Sequence, residues 1–241
     1  MNHSKKRQSP EHSDYSGIGE LFNAEVMCNY NAFIVKSAMK DFHDAKTVVD
    51  FGAGIGTLSL VFRELFSIEP LCVEIDSKNK ECLTERGLEH IDSLESLNES
   101  VDLIFSSNVL EHIEDDVSIL EKMRDKLSLK GKIYLYLPAK MSLWSALDDQ
   151  VGHYRRYEIN ELKVKCQKAG LKIEKLHYAD SLGFFGSLLT KVLGFNSDNG
   201  IGSISSLKFY DKYLFPISKF LDAIGVKYLF GKNIILITSK K

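Results

Sequence analysis

The chain has 241 residues, of which 44% are hydrophobic and 27% are charged, and its formal net charge is −2 at pH 7. These values are typical of a soluble globular protein with one large domain, and they argue against a dedicated nucleic-acid binder, which usually has a strong basic excess. The four cysteines have no CxxC or other metal-ligand spacing, so we interpret them as small hydrophobic residues and predict no metal site.

Residues 1–16 are polar and contain no apolar segment of the kind found in secretory signals. We expect this tail to be disordered and residues 17–241 to form the folded domain. No run approaches the roughly 18 consecutive apolar residues of a membrane span. These features predict a cytoplasmic protein.

Predicted helices and strands alternate along the chain. Apolar residues at helical spacing predict helices within 20–40 and 58–65, separated by a buried strand at Thr47–Phe51. A later helix, 158–169, ends at Gly170. Further strands are predicted at 70–76, 101–105, 129–138, 171–179 and 232–240. Strands that alternate with helices predict an α/β sandwich with a mostly parallel sheet.

The segment 181–231 interrupts this alternation and is rich in aromatic residues and glycine. It is too long for a simple loop, so we predict a helical cap inserted before the last strand. One interpretation is that six aromatic side chains form a small core of the cap: Phe184, Phe185, Phe209, Tyr213, Phe215 and Phe220. The alternative is that the amphipathic stretch 208–221 docks on a membrane surface or a greasy acceptor.

The segment 48–62, VVDFGAGIGTLSLVF, joins the first predicted strand to a helix through Gly52, Gly54 and Gly56. Glycine is needed where φ is positive or where a ligand approaches the backbone, and ligands of parallel sheets bind outside the carboxyl ends of the strands. The third glycine comes one residue too early for the dinucleotide fingerprint, and no lysine precedes Thr57 as a P-loop requires. Neither of these two phosphate-binding patterns is therefore supported.

Asp50 and the three glycines spell D-x-G-x-G-x-G, which resembles motif I of class I S-adenosylmethionine-dependent methyltransferases. The resemblance implies a Rossmann-like seven-stranded, mostly parallel sheet with helices on both faces. It also implies that Asp50 meets the ammonium group of S-adenosylmethionine, that the bare loop around Ala53 carries the methionyl chain, and that Glu74 accepts the two ribose hydroxyls. Asp76 is the alternative to Glu74 and is more typical of a helix cap.

Two further segments extend the resemblance to the cofactor site. VDLIFSSNVLEHIEDD, residues 101–116, resembles motif IV, which implies that the stretch from Asn108 passes under the methionine moiety. HIDSLESL, residues 90–97, lies where an acidic side chain and its neighbour commonly meet adenine. The cofactor contacts implied in these segments and after the second strand are Ile75, Asp92, Ser93, Asn108 and Val109. For Glu111 and His112, an ordinary helix start remains the alternative.

The segment 137–162 resembles a string of bacterial type 11-like methyltransferases, W-S-x-x-D-x-x-x-G-H-x-R-R-Y. A hydroxyl or amine acceptor must lose a proton, so we predict His153 as the general base, with His112 second and Tyr154 shaping the pocket. The predicted substrate contacts are Trp144, Arg155, Arg156 and Tyr157, and the arginines would favour a carboxylate or phosphate. The alternative is a structural clamp in which the arginines pair with Asp148 and Asp149.

Together these motifs predict a methyltransferase that uses S-adenosylmethionine and acts on a small molecule, a glycan or a lipid intermediate. Nucleic acid is not an expected partner, because neither a basic excess nor a catalytic Pro-Cys or Asn/Asp-Pro-Pro-Tyr string is present. A peripheral contact with a membrane is an open alternative. The other open alternative is a non-catalytic S-adenosylmethionine-binding partner protein, which turnover would distinguish.

Overall fold

A computed structural model describes residues 18–40, 42, 45–193 and 203–241. The predicted disordered tail, 1–16, lies outside the described residues. The strands are β1 (Val48–Phe51), β2 (Leu71–Val73), β3 (His90–Ile91), β4 (Val101–Ser107), β5 (Leu127–Pro138), β6 (Leu171–Ala179) and β7 (Asn233–Lys240).

Helices precede, separate and cover these strands. They are α1 (Ile18–Ala24), α2 (Cys28–Met39), α3 (Thr57–Phe66), α4 (Ser77–Glu85), α5 (Asp116–Lys126), α6 (Ala146–Gln150), α7 (Ile159–Lys168), α8 (Ser181–Leu193), α9 (Ile204–Phe209) and α10 (Phe215–Ala223). A 3₁₀ turn at Leu110–His112 follows β4, and a π-helical turn at Tyr210–Leu214 joins α9 to α10.

The seven strands form one sheet in the order β3-β2-β1-β4-β5-β7-β6. β7 is antiparallel to both of its neighbours, and the other pairs are parallel. The prediction of a mostly parallel sheet is confirmed. Because β1 to β6 run in one direction, their carboxyl ends meet at the same edge, which we call the carboxyl edge.

Both faces of the sheet are covered, as predicted. Ile104 on β4 packs in a cluster that includes Leu120 of α5, whereas its neighbours Leu103 and Phe105 pack in a second cluster with Phe62 of α3. Successive side chains of a strand point to opposite faces, so a continuous apolar strand requires two helical layers.

Two local predictions differ from the structure. The predicted helix within 20–40 is two helices, because a turn at 25–27 separates α1 from α2. The sequence also did not reveal β3, which pairs with β2 through only two residues. A strand this short has polar flanks and no alternating pattern to detect.

The predicted helical cap comprises α8, α9, the π-helical turn and α10. Two buried carboxylates fasten it to the body. Asp211 accepts hydrogen bonds from the backbone N–H groups of Asn29 (3.0 Å) and Tyr30 (2.8 Å) at the start of α2. Asp222 accepts from the backbone N–H groups of Asp180 (2.8 Å) and Ser181 (3.3 Å) at the start of α8.

The aromatic side chains of the cap do not form the small core that we expected. Phe215 is fully buried against Tyr30 and Phe33 of α2, and Phe184 is half-buried. The remaining four are at least 52% exposed: Phe185, Phe209, Tyr213 and Phe220. The expectation is wrong for these four. Three of them, Phe209, Tyr213 and Phe220, lie between α9 and α10, which contact the body through one helical face only, and Phe185 lies on α8.

Candidate active site

Left-handed backbone conformations mark the carboxyl edge. Gly52 follows β1 with φ +74°, Asn108 follows β4 with φ +53°, and Asp180 follows β6 with φ +59°. Lys140, two residues after β5, has φ +67°. Such conformations cost non-glycine residues about 1–3 kcal/mol each and cluster at ligand-binding sites. The carboxyl edge is therefore the candidate site.

The three glycines of the loop after β1 are required for two different reasons. A Cβ on Gly52 would overlap Cγ2 of Val109, and one on Gly56 would overlap Cδ1 of Leu88, so a side chain at either position would require its neighbour to move. Gly54 is less confined, since its nearest neighbour is Cδ1 of Leu21 at 3.2 Å. All three have positive φ, which the sequence pattern had indicated.

Asp50 lies buried on β1, at the foot of this loop. Its carboxylate accepts a hydrogen bond from Oγ of Ser59 at 2.6 Å. Burial raises the pKa of Asp50 to about 7. A cationic group placed beside it would lower that pKa again, as a ligand ammonium does.

Glu74, directly after β2, ties the loop to the neighbouring strand. Its Oε2 accepts from the backbone N–H of Gly54 at 2.7 Å, and its Oε1 accepts from the N–H groups of Ile75 (2.8 Å) and Asp76 (2.9 Å). An ionised carboxylate offers about four acceptor positions, and these hydrogen bonds use three of the positions on Glu74. Accepting both ribose hydroxyls would require one of these bonds to give way.

The other residues after β2 and β3 lie at the same edge. Asp76 is the N-cap of α4 and accepts from the N–H groups of Lys78 and Asn79, which is the structural role considered for it. Ile75 is 82% exposed, an apolar surface beside Glu74. Asp92 is exposed and forms a 2.8 Å ion pair with Lys80, and Oγ of Ser93 lies 3.4 Å from Oγ of Ser96.

Sequence reasoning missed the contribution of α1 to the loop. Besides the contact of Leu21 with Gly54, Glu25 accepts a hydrogen bond from Oγ1 of Thr57 (3.0 Å) and pairs with Arg86 (2.5 Å). These contacts place α1 against the glycine loop. No motif signals them, because they join segments that are distant in the sequence.

The predicted general base, His153, is held by two contacts. Its Nδ1 lies 2.8 Å from Oδ1 of Asp148, and its Nε2 lies 3.8 Å from Oε1 of Glu111. The backbone N–H of Tyr154 donates to the carbonyl of Glu111 at 2.8 Å, which fastens this loop to the turn after β4. The His112 ring lies edge-on to that of His153, with centroids 4.6 Å apart.

Asp148 is the anchor of this cluster. Its position follows from the local sequence, since Ser145 and Asp148 form a capping box at the start of α6. Burial raises its pKa, but hydrogen bonds from His153 and Arg156 outweigh burial and lower the pKa to about 2. An ionised carboxylate can only accept, so Nδ1 of His153 carries the hydrogen and Nε2 keeps its lone pair while the ring is neutral.

Glu111 is fully buried, and neither of its carboxylate oxygens has a hydrogen-bond partner among the residues that the structure describes. Burial raises the pKa of Glu111 to about 8. Burial and the neighbouring His153 together lower the pKa of His112 to about 4, which keeps that ring neutral.

Three side chains of this cluster could hold a metal ion. They are Glu111, His112 and His153, and each places one ligand atom within 4.8 Å of the others. The sequence analysis had placed Glu111 in the segment that resembles motif IV, with an ordinary helix start as the alternative, and had assigned it no role in the site.

The two arginines are occupied by protein carboxylates. The buried Arg156 donates from Nε to Asp148 at 2.8 Å. Arg155 pairs with Asp116 at 2.6 Å and donates to the carbonyl of Glu114 at 2.8 Å. This is the clamp considered as the alternative, with Asp116 in place of the expected Asp149.

The aromatic residues of the same motif take different places. Tyr157 is fully buried in the core and donates to Asp116 at 3.0 Å, which corrects the expectation that it contacts substrate. Tyr154 is 47% exposed, with the guanidinium of Arg155 5.8 Å from its ring centroid. Trp144 lies near His153, with centroids 6.5 Å apart, and its Nε1 is 3.3 Å from Asp149.

The strand order, the glycine loop and the carboxylates on β1 and directly after β2 define a class I methyltransferase fold. Residues 24–176 match a sequence family described as a methyltransferase domain. The match covers more than half of the chain, so the chain belongs to this family and is a methyltransferase that uses S-adenosylmethionine. Among curated proteins, no match is found.

Similar solved structures support the fold. One is the complex between the Haloferax volcanii Trm112 methyltransferase activator and the putative methyltransferase. The matched chain of that complex is 14% identical to this chain with a TM-score of 0.63, and the match covers 95% of this chain and 99% of the matched chain. A SAM-dependent methyltransferase from Archaeoglobus fulgidus is 18% identical with a TM-score of 0.61, over 92% and 99% of the two chains. The mitomycin 7-O-methyltransferase MmcR is 18% identical with a TM-score of 0.57 over 92% of this chain, which spans 57% of that enzyme.

Proposed function

We propose that this chain transfers the methyl group of S-adenosylmethionine to a hydroxyl or amine of a small molecule, a glycan or a lipid intermediate. One observation carries the proposal: Val109 packs on Gly52, and the turn that follows Val109 contains Glu111, beside His153. The proposed cofactor loop and the proposed acceptor groups therefore adjoin across β1 and β4.

The cofactor side would work by positioning. Methyl transfer from a sulfonium is an in-line displacement, so correct placement of the two reactants supplies much of the rate. In this proposal Asp50 holds the ammonium group and the remaining acceptor position of Glu74 takes a ribose hydroxyl. The adenine, methionine and loop contacts are proposed for Ile75, Asp92, Ser93, Ala53, Gly54, Asn108 and Val109.

On the acceptor side, His153 is proposed to promote loss of the acceptor proton, with His112 beside it and Tyr154 at the rim. Asp148 fixes the ring through Nδ1, so Nε2 points to the space beside Glu111. An imidazole promotes such a loss either as a general base or by binding a cation that polarises the acceptor oxygen.

The test uses S-adenosylmethionine with a labelled methyl group, added with the protein to an extract of the source cells. Products are partitioned between water and organic solvent, and Gly54→Arg is the control without a usable loop. Label that enters either phase with wild type alone supports the proposal. Cofactor binding without transfer in repeated extracts would instead favour a non-catalytic binding protein.

The cap suggests where the acceptor is met, and we propose an anionic membrane surface. From α9 to α10, one helical stripe is buried against the body: Leu207, Asp211, Phe215, Ser218 and Asp222. A second stripe at the same spacing is at least half exposed: Phe209, Tyr213, Ile217, Phe220 and Ile224. The first stripe already attaches the segment to the body, so the second, apolar stripe exceeds what packing on the body requires.

The charges beside the exposed stripe have one sign. Between residues 203 and 229 the acidic residues are Asp211 and Asp222, and both are buried. The basic residues of this segment are exposed or half-exposed: Lys208, Lys212, Lys219 and Lys227. Lysines around an aromatic stripe are typical of a helix that lies in the interface of an anionic bilayer. Within 18–40, 45–193 and 203–241, no helix has the length and apolarity needed to cross a membrane.

Vesicle co-sedimentation tests this surface. We expect wild type to bind vesicles that contain phosphatidylglycerol and not vesicles of phosphatidylcholine alone. Replacing Phe220 and Ile224 by serine should reduce binding by about 10-fold or more, since each buried side chain contributes about 1.5–3 kcal/mol. Leu129→Ser is the matched control, because Leu129 is 97% exposed at the opposite edge of the sheet. An equal loss in the control, or no binding by wild type, would contradict the proposal.

A further inference from the structure

We infer that Glu111, His112 and His153 form a binding site for a divalent transition-metal ion, with Zn²⁺ as the representative. The inference that the ion binds does not depend on the proposed methyl transfer. Its role in the reaction rests on the proposed function.

The three side chains converge. Each offers one ligand atom, and these atoms lie within 4.8 Å of one another. Nε2 of His153 and Oε1 of Glu111 are 3.8 Å apart. Two ligands of a tetrahedral Zn²⁺ are about 3.4 Å apart at the usual bond lengths of about 2.1 Å, so small side-chain movements close the site.

An independent observation is the lack of any hydrogen-bond partner for the Glu111 carboxylate. A buried carboxylate normally accepts hydrogen bonds or pairs with a cation, because desolvation of the charge is otherwise uncompensated. Glu111 is fully buried, and within 18–40, 45–193 and 203–241 neither of its oxygens has a donor. Arg156 is close by but donates to Asp148 and Ala139. A cation between Glu111 and the two imidazoles supplies the missing partner.

The surroundings resemble those that orient metal ligands. A ligating histidine almost always hydrogen-bonds through its other nitrogen to a carboxylate or a backbone carbonyl. Nδ1 of His153 is bonded to Asp148, which leaves Nε2 for the ion. The His112 ring makes hydrogen bonds with the backbone at Val151 and Gly152.

The donor set selects the kind of ion. Two imidazoles and one carboxylate suit Zn²⁺ and similar transition metals, whereas Mg²⁺ and Ca²⁺ prefer oxygen ligands alone. Three protein ligands leave a coordination position open, as in catalytic zinc sites. An acceptor hydroxyl in that position would have its pKa lowered by the ion, and its proton would leave to solvent.

The experiment measures zinc bound per chain. The full-length protein is treated with a chelator, dialysed against ZnCl₂, and compared with Glu111→Gln and His153→Gln. His90→Gln is the matched control, because it removes a histidine outside the cluster. We expect wild type and His90→Gln to retain one more Zn²⁺ ion per chain than the two cluster variants. Zinc bound by histidines elsewhere in the chain should be the same in all four proteins. Equal zinc content in wild type and the cluster variants would overturn the site.

A second readout does not depend on the folding of the variants. Co²⁺ added to chelator-treated wild type should give the visible absorption of a four- or five-coordinate centre, and Zn²⁺ should abolish it by competition. The absence of such a band would also overturn the site. Zinc binding without methyl transfer would contradict the proposed function and leave the site standing. Transfer without any bound metal would leave His153 as a general base and remove the ion from the reaction.

Discussion

Buried carboxylates occur in two regions of this molecule, and they differ in the number of hydrogen-bond donors that reach them. In the cap, Asp211 accepts from the backbone N–H groups of Asn29 and Tyr30 and also from the side chain of Asn29. At the carboxyl edge, Asp50 accepts a hydrogen bond from Ser59, and no donor in the described part of the chain reaches either oxygen of Glu111.

This difference distinguishes Asp211, which attaches the cap, from Asp50 and Glu111 at the candidate site. The Asp211 carboxylate accepts three hydrogen bonds at the start of α2, from the N–H and Nδ2 of Asn29 and the N–H of Tyr30, so its charge stabilises the attachment of the cap. Asp50 and Glu111 keep acceptor positions within a buried environment that raises the pKa of each carboxyl. Such carboxylates favour the arrival of a cationic group, which makes them candidates for ligand contact.

The largest expected effect concerns the acceptor side. His153→Ala should lower the rate of methyl transfer by about 10²- to 10⁴-fold, because the group that promotes loss of the acceptor proton is removed. The dissociation constant of S-adenosylmethionine should change little. Initial rates with labelled cofactor, together with calorimetry, check both values. His177→Ala is the matched control on β6, and an equal loss of rate there would remove His153 from its proposed role.

Next in size is the loss of the Asp50 charge. Asp50→Asn should weaken binding of S-adenosylmethionine by about 10- to 100-fold, since a hydrogen bond to a charged group contributes about 1.5–3 kcal/mol. Calorimetry on the purified protein measures the change. Unchanged affinity would show that the ammonium group binds elsewhere.

In the cap, Asp211→Ala should lower the free energy of unfolding by about 1–3 kcal/mol, because backbone N–H groups of α2 lose a buried partner. Affinity for S-adenosylmethionine should stay the same. Denaturant titration measures the free energy of unfolding, and calorimetry measures the affinity for the cofactor. A large loss of cofactor affinity would mean that the cap carboxylate is not purely structural.

The smallest effect is a pH dependence. Burial raises the pKa of Asp50 to about 7, so the carboxyl is mostly protonated below that pH. Affinity for the cofactor should rise several-fold from pH about 6 to about 7.5, below the range in which an α-amino group loses its proton. Asp50→Asn should flatten this profile.

The raised pKa of Asp50 also makes stability depend on pH, in the direction opposite to its effect on cofactor affinity. A folded-state pKa above the unfolded value favours the protonated form, so the contribution of Asp50 to stability falls as pH rises from the ordinary aspartate range to about 7. Denaturant titrations of wild type and Asp50→Asn without cofactor, at several pH values, should differ in this slope. Parallel profiles would contradict the assigned pKa.

Much of the fold could be predicted because its signals are local. Runs of apolar residues revealed most strands, and the spacing at Asp50 and the three glycines revealed the loop and its positive φ angles. The expected cap role of Asp76 was also visible, since a helix N-cap depends on its immediate neighbours.

The candidate site was only partly predictable. His153 and Asp148 belong to one recognisable motif, but their neighbour Glu111 comes from the turn after β4. The partner of Arg155 is Asp116, not the expected Asp149, because α5 packs beside the loop that carries the arginine. Pairings between distant segments leave no periodic pattern for sequence reasoning to detect.

By itself, the sequence determined most strands and their alternation with helices, the glycine loop and the resemblance to S-adenosylmethionine-dependent methyltransferases, since these depend on local spacing and composition. Tertiary structure decided which carboxylates have their hydrogen bonds filled, which aromatic residues of the cap face outward, and that Glu111 joins His112 and His153. Burial and hydrogen-bond saturation are properties of the whole packed chain, and they arise only when its distant segments meet.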